Sequence, residues 1–339
     1  MTSLPRRGFL AFAGVLTLGV TGCQVSDPVI RGGAGAPPPE PSPTPEPTVP
    51  GQEVALRHEV ELAALAGQVA AAADRLRLSP AQTATAGWLA TAHDAHATAL
   101  LDPYPARRAT AAPSPAPGRT PRHRPVPAVT LTAGPREEAA RSLHDRLEGA
   151  LADYRRAALG LRGPTALVWG SLAAYARAAQ VALTRDAPRP EPPVVEVREL
   201  EPWSDAQAEQ QMLRQAHALV YGYQVAIPWL ARPEARVAHD ILAARRDLRD
   251  RLADRLRDRG QAAPAADPAY ALPVQPTDPR TASGLLSRME TAFAPFTGAW
   301  LAAATDESAR RWALENLEST VGHGIEWGGP LSVWPGWPA

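Results

Sequence analysis

The acidic residues and histidines of this chain could bind a metal ion, but few of them occur at the spacing that a metal site requires. A di-metal carboxylate site in a four-helix bundle takes a Glu from each of two helices and a Glu-x-x-His pair from each of the other two, because residues three apart share a helix face. No Glu-x-x-His occurs in the 339 residues. His93 and His96 have the spacing to face one metal ion together, but the sequence assigns them no third ligand.

Three residues of the C-terminal half are further candidate metal ligands: His217, Glu290 and Glu318. Both carboxylates lie at the edge of an apolar stripe on their predicted helices, Glu290 beside Phe293 and Glu318 beside Val321. If the three converge, iron or manganese is the expected metal. The pattern favours the alternative, in which they are solvated or hydrogen-bonded residues on the flanks of ordinary amphipathic helices.

Other chemistries find little support. The chain has no nucleophile-elbow pattern and no Gly-rich phosphate loop. Its 35 basic and 35 acidic residues balance, so no charged field recruits nucleic acid. The sequence therefore predicts a non-enzymatic binding or scaffold module with an envelope protein as its possible partner; the alternative is a metal-dependent oxidase or metal-storage protein.

The first 22 residues have the features of an export signal. Arg6 and Arg7 precede an apolar run that is too short to span a bilayer, and Arg6-Arg7-Gly8-Phe9-Leu10 resembles the core of a twin-arginine signal. The stretch that ends at Cys23, the only cysteine, resembles a lipobox. We expect a palmitate-bearing lipoprotein anchored through Cys23 to the extracytoplasmic face of the cell membrane.

Proline-rich stretches divide the rest of the chain. They predict a tether over 23–50, an N-terminal helical bundle over 51–186 with an irregular insert at about 103–134, a linker over 187–203 and a C-terminal bundle over 204–339. Neither bundle shows the alternating pattern of a strand. The fold class is therefore predicted to be all-α, with two consecutive four-helix bundles.

Helical periodicity predicts the faces and ends of these helices. The first helix, from about 52 to 78, is expected to bury Leu56, Val60, Ala63, Gly67 and Ala70. Capping boxes are predicted at Ser79 and Ser204. Each half has a short turn, a long proline-rich crossing and a second short turn, which is how ferritin-like bundles connect their helices.

Four phrases of the C-terminal half carry a family resemblance: AHALVYGYQVA at 216–226, ARRDLRDRLADRLRDRG at 244–260, AYALPVQPTDP at 269–279 and the closing WPGWP. This half resembles a ferritin-like domain of unknown function found in lipoproteins of high-GC Gram-positive bacteria. The resemblance implies Glu-His in the middle of the first helix of that bundle. This chain has Ala216-His217 there, so one expected ligand position is empty.

Three tryptophans lie near the C-terminus, Trp327, Trp334 and Trp337. They could form a surface for a glycan, a lipid headgroup or a partner protein. The favoured interpretation is an aromatic tail that folds back over the second bundle.

Overall fold

The computed structural model describes residues 49–102, 104–106, 136–184 and 200–338. Within these ranges every regular element is helical, which confirms the all-α prediction. No helix in the described ranges is both long and apolar enough to cross a bilayer. The export residues Arg6, Arg7, Phe9 and Leu10, the predicted anchor Cys23, and most of the predicted insert and linker lie outside the described residues.

Five helices of the N-terminal half are described over their full length: α1 (Gln52–Ala71), α2 (Ala73–Leu76), α3 (Pro80–Leu100), α4 (Arg136–Gly160) and α5 (Gly163–Thr184). Residues 105–106 are also helical. The single helix predicted from 52 to 78 is interrupted at Ala72, and the short α2 ends at Arg77 in the left-handed region. The predicted capping box at Ser79 is confirmed. The Ser79 side chain accepts a hydrogen bond from the Gln82 backbone N–H, and the Gln82 side chain accepts one from the Ser79 backbone N–H.

The C-terminal half contains four helices: α6 (Asp205–Ala226), α7 (Arg232–Asp258), α8 (Pro279–Ala303) and α9 (Glu307–Glu326). A 3-10 turn, Ile227–Trp229, follows α6. The capping box predicted at Ser204 is present, and Asp278 and Asp306 cap α8 and α9 through their side chains. Local hydrogen bonding therefore sets most of these helix starts.

Helices of the two halves pack in the same pattern. In the N-terminal half α1 packs on α3 and α4, and α4 packs on α5; in the C-terminal half α6 packs on α7 and α8, and α8 packs on α9. Helix α5 also packs against α8 and α9, which joins the halves into one compact unit. At this junction Gly170 packs closely on α8, because a Cβ there would lie 2.3 Å from Leu301 Cδ2 and the leucine side chain would have to move. The boundary at 187–203 stays a prediction.

The core face of α1 differs from the one expected. The prediction is wrong by one position: the helix buries Ala55, Glu59, Leu62, Leu65, Ala66 and Val69. One residue is 100° of rotation on a helix, so the predicted and observed stripes are neighbours on its surface. The observed stripe contains a glutamate, and this places Glu59 in the interior of the N-terminal half.

The tryptophan-rich tail, residues 327–338, packs onto the rest of the protein. Trp327, Trp334 and Trp337 are 7%, 4% and 4% exposed, which confirms the folded-back arrangement. Backbone packs directly on backbone here, since a Cβ on Gly298 of α8 would lie 2.0 Å from the Gly336 carbonyl oxygen. The tail can therefore reach beyond the C-terminal helices and contact the N-terminal half.

Candidate metal centre

The Glu59 carboxylate is the centre of a buried polar cluster. Its Oε2 lies 2.6 Å from His93 Nδ1 and 3.0 Å from His96 Nδ1, and its Oε1 accepts a hydrogen bond of 2.5 Å from the Tyr154 hydroxyl. All four residues are at most 1% exposed. A carboxylate this deep is stable only when its charge is compensated, and here every contact is a donor or a potential cation.

All four main helices of the N-terminal half contribute to this cluster. Glu59 comes from α1, His93 and His96 from α3, and Tyr154 from α4. From α5, the ring of Tyr175 lies edge-on to both imidazoles, with centroids 5.3 Å from that of His93 and 4.9 Å from that of His96. The three-residue spacing of the histidines puts both rings on the α3 face that meets α1.

His96 is held at both ring nitrogens. Its Nε2 lies 2.6 Å from the carbonyl oxygen of Val333 in the tail, and its Nδ1 faces Glu59. A carbonyl only accepts, so Nε2 carries a hydrogen and Nδ1 holds either a second proton or a metal ion. A backbone carbonyl is one of the common partners of the distal nitrogen in a metal-ligating histidine.

The electrostatics of the cluster keep a negative charge on Glu59. Burial alone raises the pKa of Glu59, but the charges and hydrogen bonds of His93 and His96 outweigh burial and hold that pKa far below its usual range. Burial, with Glu59 nearby, raises the pKa of Tyr154 and of Tyr175. Both phenols stay neutral, so Glu59 is the anionic ligand.

The donor set suits one divalent transition-metal ion. Ligand atoms of Glu59, His93 and His96 all lie within 4.8 Å of one another, and no other group of three such side chains in the described ranges does so. Two imidazoles and one carboxylate are ligands typical of zinc and of non-haem iron, and manganese also accepts carboxylate. His93 Nε2 is buried and has no hydrogen-bond partner among the described residues, so its ring is held less firmly than that of His96.

The candidate ligands of the C-terminal half do not come together. His217 Nε2 lies 3.2 Å from the Pro264 carbonyl oxygen, and burial lowers the pKa of His217. Glu318 is paired with Arg155 of α4 through Nη2 at 2.5 Å and Nε at 2.8 Å. Glu290 is paired with Arg245. Each carboxylate has a guanidinium partner, and the three residues do not form a group of converging ligands within the described ranges.

Glu290 nevertheless lies in a buried cluster of its own. Its Oε2 is 2.6 Å from Arg245 Nη2 and its Oε1 accepts from Tyr223 at 2.7 Å. Arg245 Nη2 also lies 3.1 Å from Thr320 Oγ1 and 3.2 Å from His323 Nδ1. Burial, together with the charge of Arg245, lowers the pKa of His323 to about 3, so His323 is neutral and accepts from the guanidinium.

Sequence reasoning missed Glu59, Tyr154, Tyr175 and the Val333 carbonyl as parts of a site. One local signal for Glu59 was available: it recurs with Ala55 and Leu62 at helical spacing, which makes it an acid inside an apolar stripe. No local signal relates Val333 to His96, because 237 residues separate them.

Comparison with known proteins finds a family match within the C-terminal half. Residues 208–339 match a family described as a domain of unknown function, DUF4439. A solved structure, that of the conserved hypothetical protein rv2844 from Mycobacterium tuberculosis, is similar at 28% identity over 36% of this chain and 93% of that chain, with a TM-score of 0.35. No curated protein matches. The similarity to DUF4439 is thus confined to the C-terminal half, and Glu59, His93 and His96 lie outside the matched residues.

Proposed function

We propose that this protein is an exported, lipid-anchored binding protein of the cell envelope whose N-terminal bundle holds one divalent transition-metal ion between Glu59, His93 and His96. The observation that carries the proposal is the convergence of these three ligands, with atoms within 4.8 Å of one another, in the protein interior. As in the sequence analysis, we propose a binding role without enzymatic activity. The metal belongs to the N-terminal half, not to His217, Glu290 and Glu318.

The surroundings of the three ligands support metal binding. Val333 accepts from the distal nitrogen of His96, and Tyr154 donates to the oxygen of Glu59 that does not face the histidines. Such partners orient ligands and fix the histidine tautomer. An ion bound there would replace the proton on His96 Nδ1 and would be neutralised in part by the Glu59 charge.

The C-terminal bundle supports a structural role. The Arg245 guanidinium contacts Glu290, Thr320 and His323. It supplies the positive charge that the buried Glu290 carboxylate requires, so this cluster needs no metal ion for charge balance. We propose that this bundle acts as a structural support for the N-terminal bundle, against which it packs, and that its tail holds His96 in place.

The localisation is proposed from the first 23 residues. We expect Cys23→Ser to abolish labelling with palmitate analogues, and Arg6→Lys with Arg7→Lys to block export. Palmitate labelling that persists in Cys23→Ser would overturn the anchor. Normal export of the Lys-Lys variant would overturn the twin-arginine route.

Metal analysis of protein purified without a His tag tests the metal proposal. We expect near-stoichiometric zinc, iron or manganese in the unmodified chain, and loss of that metal in Glu59→Gln and His93→Gln. Glu290→Gln is the matched control, because it neutralises the other buried carboxylate and should retain metal. Metal-free protein after reconstitution, or metal retained in Glu59→Gln, would contradict the proposal.

A further inference from the structure

A cavity of about 260 Å³ lies at one end of the N-terminal bundle, between the start of α1, the end of α4 and the start of α5. Its walls are largely apolar and include Val54, Leu161 and Trp169, and the Tyr154 ring also lines it. A cavity of about 150 Å³ is enough for benzene, and small-molecule sites start near about 300 Å³. The space therefore suits a ligand larger than benzene and smaller than most cofactors.

The wall of this cavity holds an unpaired hydrogen-bond donor. Trp169 is 0% exposed, and its indole Nε1 has no partner among the described residues. Gly51, which also lines the cavity, is a close neighbour of this nitrogen: a Cβ there would stand 3.6 Å from Nε1, and the glycine has φ +82°, which side chains rarely adopt. A buried N–H without an acceptor is costly, and an oxygen atom of a ligand would satisfy it.

Charges near the cavity cancel one another. Arg156 Nη1 lies 2.6 Å from Asp153 Oδ1, and His58 Nε2 lies 2.9 Å from Asp153 Oδ2. These hydrogen bonds, first from His58 and then from Arg156, lower the pKa of Asp153. The carboxylate and the guanidinium are therefore both charged and paired with each other, so the residues that line the cavity offer no unpaired charge to an ionic ligand.

We infer that this cavity binds an uncharged, mostly apolar small molecule that carries a carbonyl or ether oxygen, with the oxygen accepting from Trp169 Nε1. The inference goes beyond the metal proposal and does not depend on it. The two sites share one wall, because the Tyr154 ring lines the cavity while its hydroxyl donates to Glu59.

The probe is a matched pair, 1-tetralone and its counterpart without the oxygen, tetralin, added to 15N-labelled full-length protein. The chain has nine tryptophans, and Trp169→Phe identifies the Trp169 indole signal. We expect that signal to move with saturable dependence on 1-tetralone, and we expect tetralin to bind about fivefold more weakly, the value of one hydrogen bond. The titration is repeated with a metal chelator, which separates its outcome from that of the metal proposal.

Gly160→Leu is the blocking variant. Gly160 lines the cavity, and a Cβ there meets nothing within 4 Å, so leucine can enter the space without a backbone shift. Gly149→Leu, on the same helix and also without a neighbour within 4 Å of its Cβ, is the control. We expect Gly160→Leu to abolish 1-tetralone binding with thermal unfolding unchanged, and Gly149→Leu to preserve binding. A Trp169 signal that ignores 1-tetralone, equal affinity for tetralin, or undiminished binding in Gly160→Leu would each overturn the inference.

Discussion

Each half buries a carboxylate in a polar cluster, but the groups that balance the charge of the two carboxylates differ in kind. In the N-terminal half a carboxylate, Glu59, faces two imidazoles, whose nitrogens can lose a proton to solvent and bind a metal ion instead. In the C-terminal half a carboxylate, Glu290, faces Arg245, whose charge is permanent. The difference shows how one packing pattern can support a ligand-dependent centre in one bundle and a ligand-independent one in the other.

Removing one partner of the Arg245–Glu290 pair should have the largest effect on stability. We expect Arg245→Met to lower the free energy of unfolding by about 3–5 kcal/mol, because it leaves the Glu290 charge buried and unpaired. Urea denaturation measures this loss. The double variant Arg245→Met, Glu290→Met should regain most of it, since no charge is then left behind. A double variant as unstable as the single one would show that the pair itself, and not its charge balance, holds this bundle.

Metal removal should affect only the N-terminal cluster. With free metal at 100 times its dissociation constant, binding adds about 2.7 kcal/mol to the free energy of unfolding. We expect a chelator to remove this increment from the unmodified chain and from Glu290→Gln, but to change nothing in Glu59→Gln. Thermal unfolding with and without chelator is the measurement. Equal chelator effects in Glu59→Gln and the unmodified chain would mean that the stabilising metal binds elsewhere.

The tail should tune the N-terminal cluster from the C-terminal half. Gly298→Ala places a Cβ where the Gly336 carbonyl now lies, so the tail must shift and weaken the Val333 bond to His96. Loss of such a partner costs about 10- to 100-fold in metal affinity. Competition with a chromophoric chelator measures the change. Gly284→Ala on the same helix, where a Cβ meets nothing within 4 Å, should leave affinity unchanged. Unaltered metal affinity in Gly298→Ala would show that the tail does not influence metal binding.

The smallest expected effect is a pH dependence of opposite sign in the two halves of metal-free protein. Because folding lowers the pKa of Glu59 from its ordinary 4.5, the stability this carboxylate contributes is present above pH 4.5 and is lost as pH falls toward the folded pKa. Burial raises the pKa of Glu290 against the opposing charge of Arg245, so its contribution declines as pH rises above 4.5. Urea denaturation at several pH values measures the free energy of unfolding of Glu59→Gln and Glu290→Gln relative to that of the unmodified chain. We expect this difference to change with pH in opposite directions for the two variants. Parallel curves would contradict the assignment.

Helix starts were predictable because their causes are local. Ser79 and Ser204 cap their helices through residues three positions on, and the sequence shows both members of each box. The face of α1 was not predictable in the same way. Half of its apolar residues are alanines spread around the helix, so no stripe dominates, and the true interior face is interrupted by one polar residue, Glu59.

The sequence by itself determined the helical class, the helix boundaries set by capping, and the spacing that puts His93 and His96 on one face. Only the tertiary structure decided that Glu59, 34 residues before His93, is the third member of the cluster, and that Val333 closes it. It also decided that Arg245 neutralises Glu290 from 45 residues away. Capping and helical spacing depend on residues a few positions apart, whereas burial of a charge depends on which distant helices supply its partners.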